Sequence, residues 1–329
     1  APDLGDTDQL AGRFALRLEP TSDLTIDLSI DGSRSREESA PNVALAINEN
    51  APAAAEWNAN FSGAGAICTD GTNPARLTDT RCFNSQWELG PYQHGGTFSA
   101  ISDVFTNGNP EPYRSGSDVN IWGVSGTVEW QFADNMSFKS ITAYREVTGF
   151  WTRDSDHSPA SIVQTNSDWQ QEQFSQEVQL LGDFADGRFN WVLGGYYSDE
   201  SGNHKDLVNI VDAIFLSGAV LDGESLAFFG QGTAEIIPDL NLTAGIRWTQ
   251  DKKSFNNSNQ YVVEAGFLTG APFNPDGSGL QNGDPLMGPL GTVSTIKDTA
   301  WTPMVSLSYR WNPEFLTYIS YSQGFKGGG

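Results

Sequence analysis

The chain repeats one pattern along its length. A segment of alternating apolar and polar residues is followed by a very short polar connection, a second such segment, and a long polar connection. Between Leu24 and Ile30, every even-numbered residue is Leu or Ile and every odd-numbered residue is Thr, Asp or Ser. The same alternation returns in segments 122–132, 240–249 and 301–311. A period of two with one apolar face indicates a β-strand whose faces meet different surroundings, and we predict about ten such strands.

The connections alternate in length as regularly as the strands do. We predict short connections at 20–23, 133–136, 183–188, 238–239 and 312–314, and long ones at 37–118, 152–167, 202–221 and 256–297. Short turns at one end of a sheet and long loops at the other are typical of outer-membrane β-barrels, which place the turns in the periplasm and the loops outside the cell. The predicted fold is therefore all-β, a transmembrane antiparallel β-barrel.

A soluble β-sandwich is the competing fold, because it also has strands with one apolar face. Two features favour the barrel. Aromatic residues gather next to the short turns, as an interfacial girdle would: Trp130 and Phe132, Phe189 and Trp191, and Trp311 and Phe315. The predicted strands are also longer than the ~5–6 residues typical of globular sheets.

Composition narrows the classes of partner. The chain has 18 Lys and Arg against 41 Asp and Glu, a formal net charge of −23, which argues against nucleic acid. No segment approaches the ~18 consecutive apolar residues of a membrane helix. The two cysteines, Cys68 and Cys82, both lie in the longest predicted loop. We interpret them as one disulfide formed in an oxidising compartment, because a metal or redox motif needs closer spacing.

Several strand-like segments, in their order and spacing across residues 12–326, resemble the β-barrel of TonB-dependent outer-membrane receptors. They are 140–145, 174–180, 189–197, 229–231, 242–248 and 318–326. The resemblance implies a barrel of about 22 strands around an N-terminal plug domain, which carries a box that engages the TonB complex. It also implies uptake of a scarce nutrient such as an iron–siderophore, a cobalamin or a sugar. External loops would capture the ligand, and the plug would then rearrange.

Strand number and direction give a further expectation. Ten strands are fewer than the resemblance implies, and the first and the last strand would both place a chain end on the extracellular side. We therefore expect residues 1–329 to be a partial barrel without its plug, and residues 37–118 to be a long extracellular loop within it. Because that loop is rich in aromatic residues, we hypothesise that it is a ligand-capturing lid closed by the disulfide.

The candidate ligand-binding residues all lie in predicted loops. They are Trp57, Trp87, Tyr92, Trp151, Arg153, Asp154, Asp156 and His157. Carboxylates and an imidazole could hold a cation at Asp154, Asp156 and His157. The remaining ligands of such a site are absent, so a solvated acidic tip is the preferred interpretation. We expect no metal, no cofactor and no catalytic residue. His94 and His204 are interpreted as isolated loop residues.

Two other functions stay open from the sequence. Ten strands is also the size of certain outer-membrane proteases, for which Asp154, Asp156 and His157 would be the carriers of the chemistry. A structural or adhesive surface barrel is the second alternative. The expected partners are the nutrient ligand, the TonB complex through the missing plug, and outer-membrane lipid and lipopolysaccharide. Arginines on the polar faces are expected to pair with carboxylates such as Glu129 or Glu177: Arg13, Arg17, Arg145, Arg247 and Arg310.

Overall fold

A computed structural model describes residues 6–37, 46–49, 51–79, 81–84, 116–155, 163–210, 213–265, 278–286 and 288–328. Eleven strands dominate this part of the chain. Their bounds are β1 Thr7–Thr21, β2 Leu24–Glu37, β3 Gly116–Ala133, β4 Met136–Asp154, β5 Val163–Phe184, β6 Phe189–Ile210, β7 Ala213–Ile237, β8 Leu240–Asn256, β9 Tyr261–Glu264, β10 Val293–Asn312 and β11 Phe315–Ser322. Ten are long, as the sequence predicts, and β9 is an additional strand of four residues.

The strands form one antiparallel sheet in which sequential strands are neighbours. The order is β1 to β8, then β10 and β11, and the short β9 pairs with β7. The sheet is open, because β1 pairs only with β2 and β11 only with β10. All five predicted short connections are confirmed as tight turns. Asp239 takes a positive φ of 69° in the turn between β7 and β8, a backbone conformation that Asp tolerates better than most residues.

The alternation of the sequence gives the sheet two unlike faces. The apolar face carries exposed residues such as Leu28, Val124, Leu193 and Trp301, and Leu193 and Trp301 are 54% and 59% exposed. The opposite, polar face carries residues such as Asp27. An apolar surface that stays exposed over most of a sheet is rare in water-soluble proteins, and it indicates a second apolar phase against which the sheet packs.

Aromatic side chains mark both borders of the apolar face. Near the tight turns, which we call the turn end, Phe184 and Phe189 have ring centroids 4.4 Å apart. Towards the opposite, loop end, Trp122 and Tyr144 are 5.4 Å apart. This second border also includes Phe174, Tyr197, Trp248 and Trp301. Only the border at the turn end is predicted from the sequence.

The apolar band crosses the sheet obliquely. Trp122 pairs in register with Glu146, two residues nearer the loop end than Tyr144, and Phe174 pairs with Asp199, two residues nearer it than Tyr197. The border therefore steps towards the turn end from strand to strand. Such a drift is expected when strands tilt relative to the plane of an apolar layer, as they do in β-barrels.

The predicted loop 202–221 is wrong. β6 continues to Ile210 and β7 begins at Ala213, so most of this segment is strand, and β4 and β5 likewise shorten the predicted loop 152–167. We call the loop-end parts of β5 (163–171), β6 (202–210) and β7 (213–221), together with β9, the projection. Its residues Leu207, Leu216 and Val262 are fully buried. The projection therefore has an apolar core of its own, unlike the exposed apolar face.

Residues 46–49, 51–79 and 81–84 form a compact unit that we call the stapled segment. It contains helix α1 (Pro52–Glu56), a π-helical turn (Trp57–Phe61), helix α2 (Ala66–Thr69) and a 3₁₀ turn (Pro74–Leu77). The predicted disulfide between Cys68 and Cys82 is confirmed. The Asn58 side chain donates to the Phe83 carbonyl at 3.2 Å and accepts from the Phe83 amide at 2.7 Å. Disulfide and hydrogen bonds thus join the two ends of the segment.

No helix among the described residues is both long and apolar enough to cross a membrane.

Candidate functional site

Ion pairs line the turn-end half of the polar face on β1 to β4. Arg17 donates to Asp27 at 2.7 Å, and Arg145 of β4 reaches across β3 to Asp31 of β2 at 2.8 Å. These two contacts confirm the expected pairing of arginines with carboxylates. Glu129 pairs with Lys139 at 2.6 Å rather than with an arginine. The polar face here is largely charge-neutralised.

Arg247 has a different environment on the same face. Its guanidinium lies 5.7 Å from the Tyr196 ring centroid and 5.5 Å from that of Phe229. Its Nε donates to the Thr249 hydroxyl at 3.1 Å. Cation–π contacts with two rings restrict the guanidinium to one orientation on the wall.

A groove opens on the polar face where the projection begins. It encloses about 500 Å³ and is lined by side chains from β5, β6, β7 and β8, including Trp169, Gln171, Glu200, His204, Leu221 and Lys253. Its volume falls within the range of small-molecule sites, roughly 300–1,000 Å³. Because four strands of one sheet contribute to it, backbone pairing fixes the relative positions of the lining residues.

Trp169 is the largest side chain of the groove. It pairs in register with Gly149 of β4 and with His204 of β6. A Cβ atom on Gly149 would overlap the indole ring, so the ring lies flat against the bare backbone of β4. The glycine thereby positions the tryptophan, and the other side of the indole is left to line the groove.

The floor of the groove is flat because glycines interrupt the side-chain rows. Gly202 pairs with Leu221, and Gly223 lies between Glu200 and Lys253 in register. No side chain therefore stands between the carboxylate of Glu200 and the ammonium of Lys253. The arrangement leaves a shelf bounded by one aromatic ring and by hydrogen-bonding groups.

Hydrogen bonds hold the polar side chains around this shelf. Gln171 Nε2 donates to Glu200 Oε1 at 2.5 Å, and Lys253 Nζ donates to the Gly328 carbonyl at 3.0 Å. His204 Nε2 is 3.1 Å from Asp206 Oδ1, and Ser167 donates to the same carboxylate oxygen. Asp206 therefore lies between the serine and the histidine. A catalytic triad requires the histidine to contact the serine, so this cluster is suited to binding and not to nucleophilic catalysis.

The structure places the predicted ligand contacts in two groups. Trp57 belongs to the stapled segment, where its indole Nε1 donates to the Arg81 carbonyl at 3.0 Å. Trp151, Arg153 and Asp154 lie at the loop end of β4. Trp151 pairs with Ser167, two residues along β5 from Trp169, so Trp151 shares the face and the end of the groove. Four predicted contacts lie outside the described residues: Trp87, Tyr92, Asp156 and His157.

Most of the groove is not predicted from the sequence. His204 is interpreted there as an isolated loop residue, and Trp169, Gln171 and Glu200 are not singled out. The available signal was a pair of apolar stretches at 207–210 and 213–216 with only two residues between them. Such spacing is typical of a β-hairpin, and it would have extended β6 and β7 past His204.

The stapled segment contains two ion pairs, Arg76 with Glu49 and Arg81 with Asp79. Arg81 Nη2 donates to Asp79 Oδ2 at 2.7 Å, and the Arg81 amide donates to Asp79 Oδ1 at 3.0 Å. The Arg81 side chain first, and its backbone amide second, lower the pKa of Asp79 to about 2. Elsewhere in the described chain, no three His, Cys, Asp or Glu residues are grouped as a metal site would require.

Comparisons with known proteins identify a family and a shared fold. A family model described as TonB dependent receptor-like, beta-barrel, matches residues 58–329. Among solved structures, the ferric yersiniabactin uptake receptor FyuA from Yersinia pestis superposes with a TM-score of 0.60 at 14% identity, over 96% of this chain and 37% of that one. The ferric citrate transporter FecA gives a TM-score of 0.58 at 11% identity, over 97% of this chain and 36% of that one.

The ferric-catecholate import receptor Fiu from E. coli is a third structure of the same kind. It superposes with a TM-score of 0.57 at 12% identity, over 97% of this chain and 44% of that one. The chain thus spans less than half the length of each of these solved receptors. At such low identities the superpositions establish a shared strand architecture.

Proposed function

This chain belongs to the TonB-dependent receptor-like β-barrel family, and from that premise we propose that it forms part of an outer-membrane receptor for a scarce nutrient. The family and its solved neighbours are transport receptors and not enzymes. The proposed ligand is an iron–siderophore or another compound too large for porins. Uptake would be energised by the TonB complex of the inner membrane.

One observation carries the proposal: a single antiparallel sheet with an apolar outer face, two aromatic borders and a polar, ion-paired inner face. This combination suits a wall between lipid and an aqueous or protein-filled lumen. The tight turns would face the periplasm and the projection would extend from the cell surface. Lipid and lipopolysaccharide would contact the apolar face in the outer membrane of a Gram-negative bacterium.

The open edges of the sheet support a larger barrel. β1 and β11 each present one row of backbone groups without a strand partner among the described residues. Within a lipid layer every backbone N–H and C=O needs a hydrogen-bond partner, and only a closed barrel provides one for every strand. We therefore propose that residues 1–329 are a portion of the wall, and that a plug domain fills the lumen and contacts the TonB complex.

Residues 37–118 are proposed to be an extracellular loop that takes part in ligand capture. The compact stapled segment, closed by its disulfide and by the contacts of Asn58, supports an ordered role for this loop. We propose that Trp57, Trp87, Tyr92, Trp151, Arg153, Asp154, Asp156 and His157 contribute to capture around the mouth of the lumen. Trp151 and Arg153 have the strongest support because they share the face and end of the groove.

The test is uptake by cells that express the full-length receptor from its own gene. Deleting the gene should abolish high-affinity accumulation of the nutrient, and deleting the TonB gene should have the same effect. A structural or adhesive barrel would leave accumulation unchanged in both strains. Accumulation that depends on the receptor gene but not on TonB would also contradict the proposal, since it would describe a passive pore.

A further inference from the structure

The groove has a chemistry that narrows the class of ligand. We propose that it binds an uncharged, polyhydroxylated ring, that is, a carbohydrate unit laid face-on against Trp169. This inference rests on the proposed function, because it names the substrate class of that receptor. It depends on three features of the groove: an aromatic face, a flat floor, and hydrogen-bonding groups with no net positive charge.

The aromatic face is the first feature. The indole of Trp169 has one side on the backbone at Gly149, and the residue lines the groove with the rest of its surface. A flat ring fixed in this way presents its π-system to a ligand at little entropic cost. The axial C–H groups of a pyranose can pack on such a face. Leu221 lines the same groove and adds apolar contact at its side.

The flat floor is the second feature. Gly202 and Gly223 leave the strands bare between Trp169 and Lys253, so a planar or chair-shaped ring can lie along the sheet. A ring of this size fits a groove of about 500 Å³ with room for adjoining units. A compact octahedral metal chelate would touch such a shelf over a small area only.

The hydrogen-bonding groups are the third feature. Gln171 and Glu200 are joined at 2.5 Å, which places an amide donor beside a carboxylate acceptor. Neighbouring hydroxyls of a sugar can accept from the amide and donate to the carboxylate, because each hydroxyl is both donor and acceptor. His204, which pairs in register with Trp169 and is 43% exposed at its side chain, supplies a further polar group.

The balance of charge argues for an uncharged ligand. Glu200 and Lys253 face each other across Gly223, and the charge of Asp206 is directed towards His204 and Ser167. The lining carries two carboxylates, Glu200 and Asp222, against the single ammonium of Lys253, so the groove has no net positive charge that could hold an anion. An anionic ferric chelate would meet two carboxylates close to the indole, and their repulsion disfavours it.

The experiment measures binding to the intact, plug-containing receptor in detergent, with maltohexaose, cellohexaose and xylohexaose as probes. Ferric enterobactin and ferric citrate serve as anionic comparators. At least one hexasaccharide should bind, and Trp169→Ala should weaken that binding about tenfold, while Trp169→Phe keeps most of it. Trp191→Ala is the matched control, because Trp191 also covers a glycine, Gly182, but lies on the apolar face away from the groove. That variant should leave the affinity unchanged.

Two results would overturn the inference. One is that no hexasaccharide binds, whether or not a ferric chelate does. The other is that Trp169→Ala binds the hexasaccharide as tightly as the wild type. Uptake assays separate this inference from the proposed function. TonB-dependent uptake of a ferric chelate alone would contradict the inference and leave the receptor function standing. Trp169-dependent hexasaccharide binding with TonB-independent uptake would do the reverse.

Discussion

At the scale of single residues, the wall is organised by glycines that lie beneath aromatic rings of a neighbouring strand. There are four such pairs among the described strands: Gly149 with Trp169, Gly182 with Trp191, Gly194 with Phe229, and Gly232 with Phe189. An aromatic ring that covers a glycine shields its backbone from competing polar groups and fixes the ring against the sheet. Two of these rings have a further neighbour: Trp169 lines the groove, and Phe229 contacts the Arg247 guanidinium.

Gly194→Val should destabilise the barrel, because the new side chain would occupy the space of the Phe229 ring and displace it from Arg247. Overpacking of this kind costs about 1–3 kcal/mol. Urea unfolding of the full-length receptor, followed by tryptophan fluorescence, measures the loss. Gly223→Val is the matched control on β7, inside the sheet, where the nearest neighbour of a Cβ would be the Glu200 Cβ at 3.9 Å. Equal losses in the two variants would contradict the assigned role of the glycine.

The stapled segment should respond to pH through Asp79. Arg81 lowers the pKa of Asp79 to about 2 from its usual 3.8, so the ionised carboxylate stabilises the folded segment. That contribution is complete above the usual pKa and disappears as pH falls through about 2. Protease resistance of the segment in the intact receptor should therefore stay constant down to about pH 4 and then decline.

Asp79→Asn provides the control for this pH dependence. The variant lacks the ion pair, so its segment should be less resistant at neutral pH and should change less between pH 4 and pH 2. The protease used must act at low pH, and its activity on an unfolded peptide corrects for its own titration. A wild-type segment that weakens well above pH 4 would show that another group controls it.

At the scale of elements, the projection is the part of the described sheet that least resembles a barrel wall. Gln260 reaches back from the segment before β9 and donates to the Gly218 carbonyl of β7 at 2.6 Å. Asn259 donates to the side chain of Asn203 at 2.9 Å. These contacts attach the 257–265 segment to β6 and β7 at a point where a Cβ on Gly218 would overlap the His204 carbonyl.

Gly218→Ala should destabilise the projection locally without unfolding the rest of the sheet. The added methyl meets backbone atoms that cannot rotate away, so β7 must move from β6 at this position. Amide hydrogen exchange should rise across 213–221 and 257–264 and stay unchanged in the turn-end halves of the strands. Gly223→Ala is the control, since its nearest neighbour, the Glu200 Cβ, would be 3.9 Å away. Faster exchange throughout the sheet would instead indicate global destabilisation.

The sequence predicts the wall much better than the projection, and the reason is physical. Between Leu24 and Ile30 one face meets an apolar phase, so alternation is strict and the strand is recognisable. In residues 203–210 the two faces no longer meet different solvents. Leu207 and Asn209 are buried on one face while His204 and Asp206 line the other, and the period of two disappears from the composition. The groove lies where the alternation of apolar and polar residues ends.

In the candidate site, features set within one strand are predictable from the sequence, and features set by pairing between strands are not. The disulfide and the ion pairing of Arg17 and Arg145 follow from residue type and strand position. The position of Trp169 depends on which glycine of β4 lies opposite, and that is a matter of register between strands. Register across several strands cannot be read from one strand alone. Trp169 was therefore not identifiable from its own surroundings in the sequence.

At the scale of the whole molecule, the two faces should tolerate charge very differently. Leu180 and Gln179 are adjacent in β5 and lie on the apolar and the polar face respectively. Leu180→Arg should reduce stability by about 2–4 kcal/mol if the apolar face meets lipid, whereas Gln179→Arg should cost well under half of that. Unfolding of the full-length receptor in lipid vesicles measures both. Similar costs would argue against lipid contact.

The unbroken register of the sheet has a mechanical consequence. Among the long strands, shifts in pairing occur only beside the tight turns, and β5 and β6 pair continuously from Val163 with Ile210 to Phe184 with Phe189. A slip of one residue would turn apolar side chains inward, and a slip of any length requires every hydrogen bond between the two strands to break first. The described sheet therefore cannot widen by small steps. In the proposed receptor, a passage for the nutrient would be opened by a change in what occupies the lumen, because the paired strands around it cannot separate gradually.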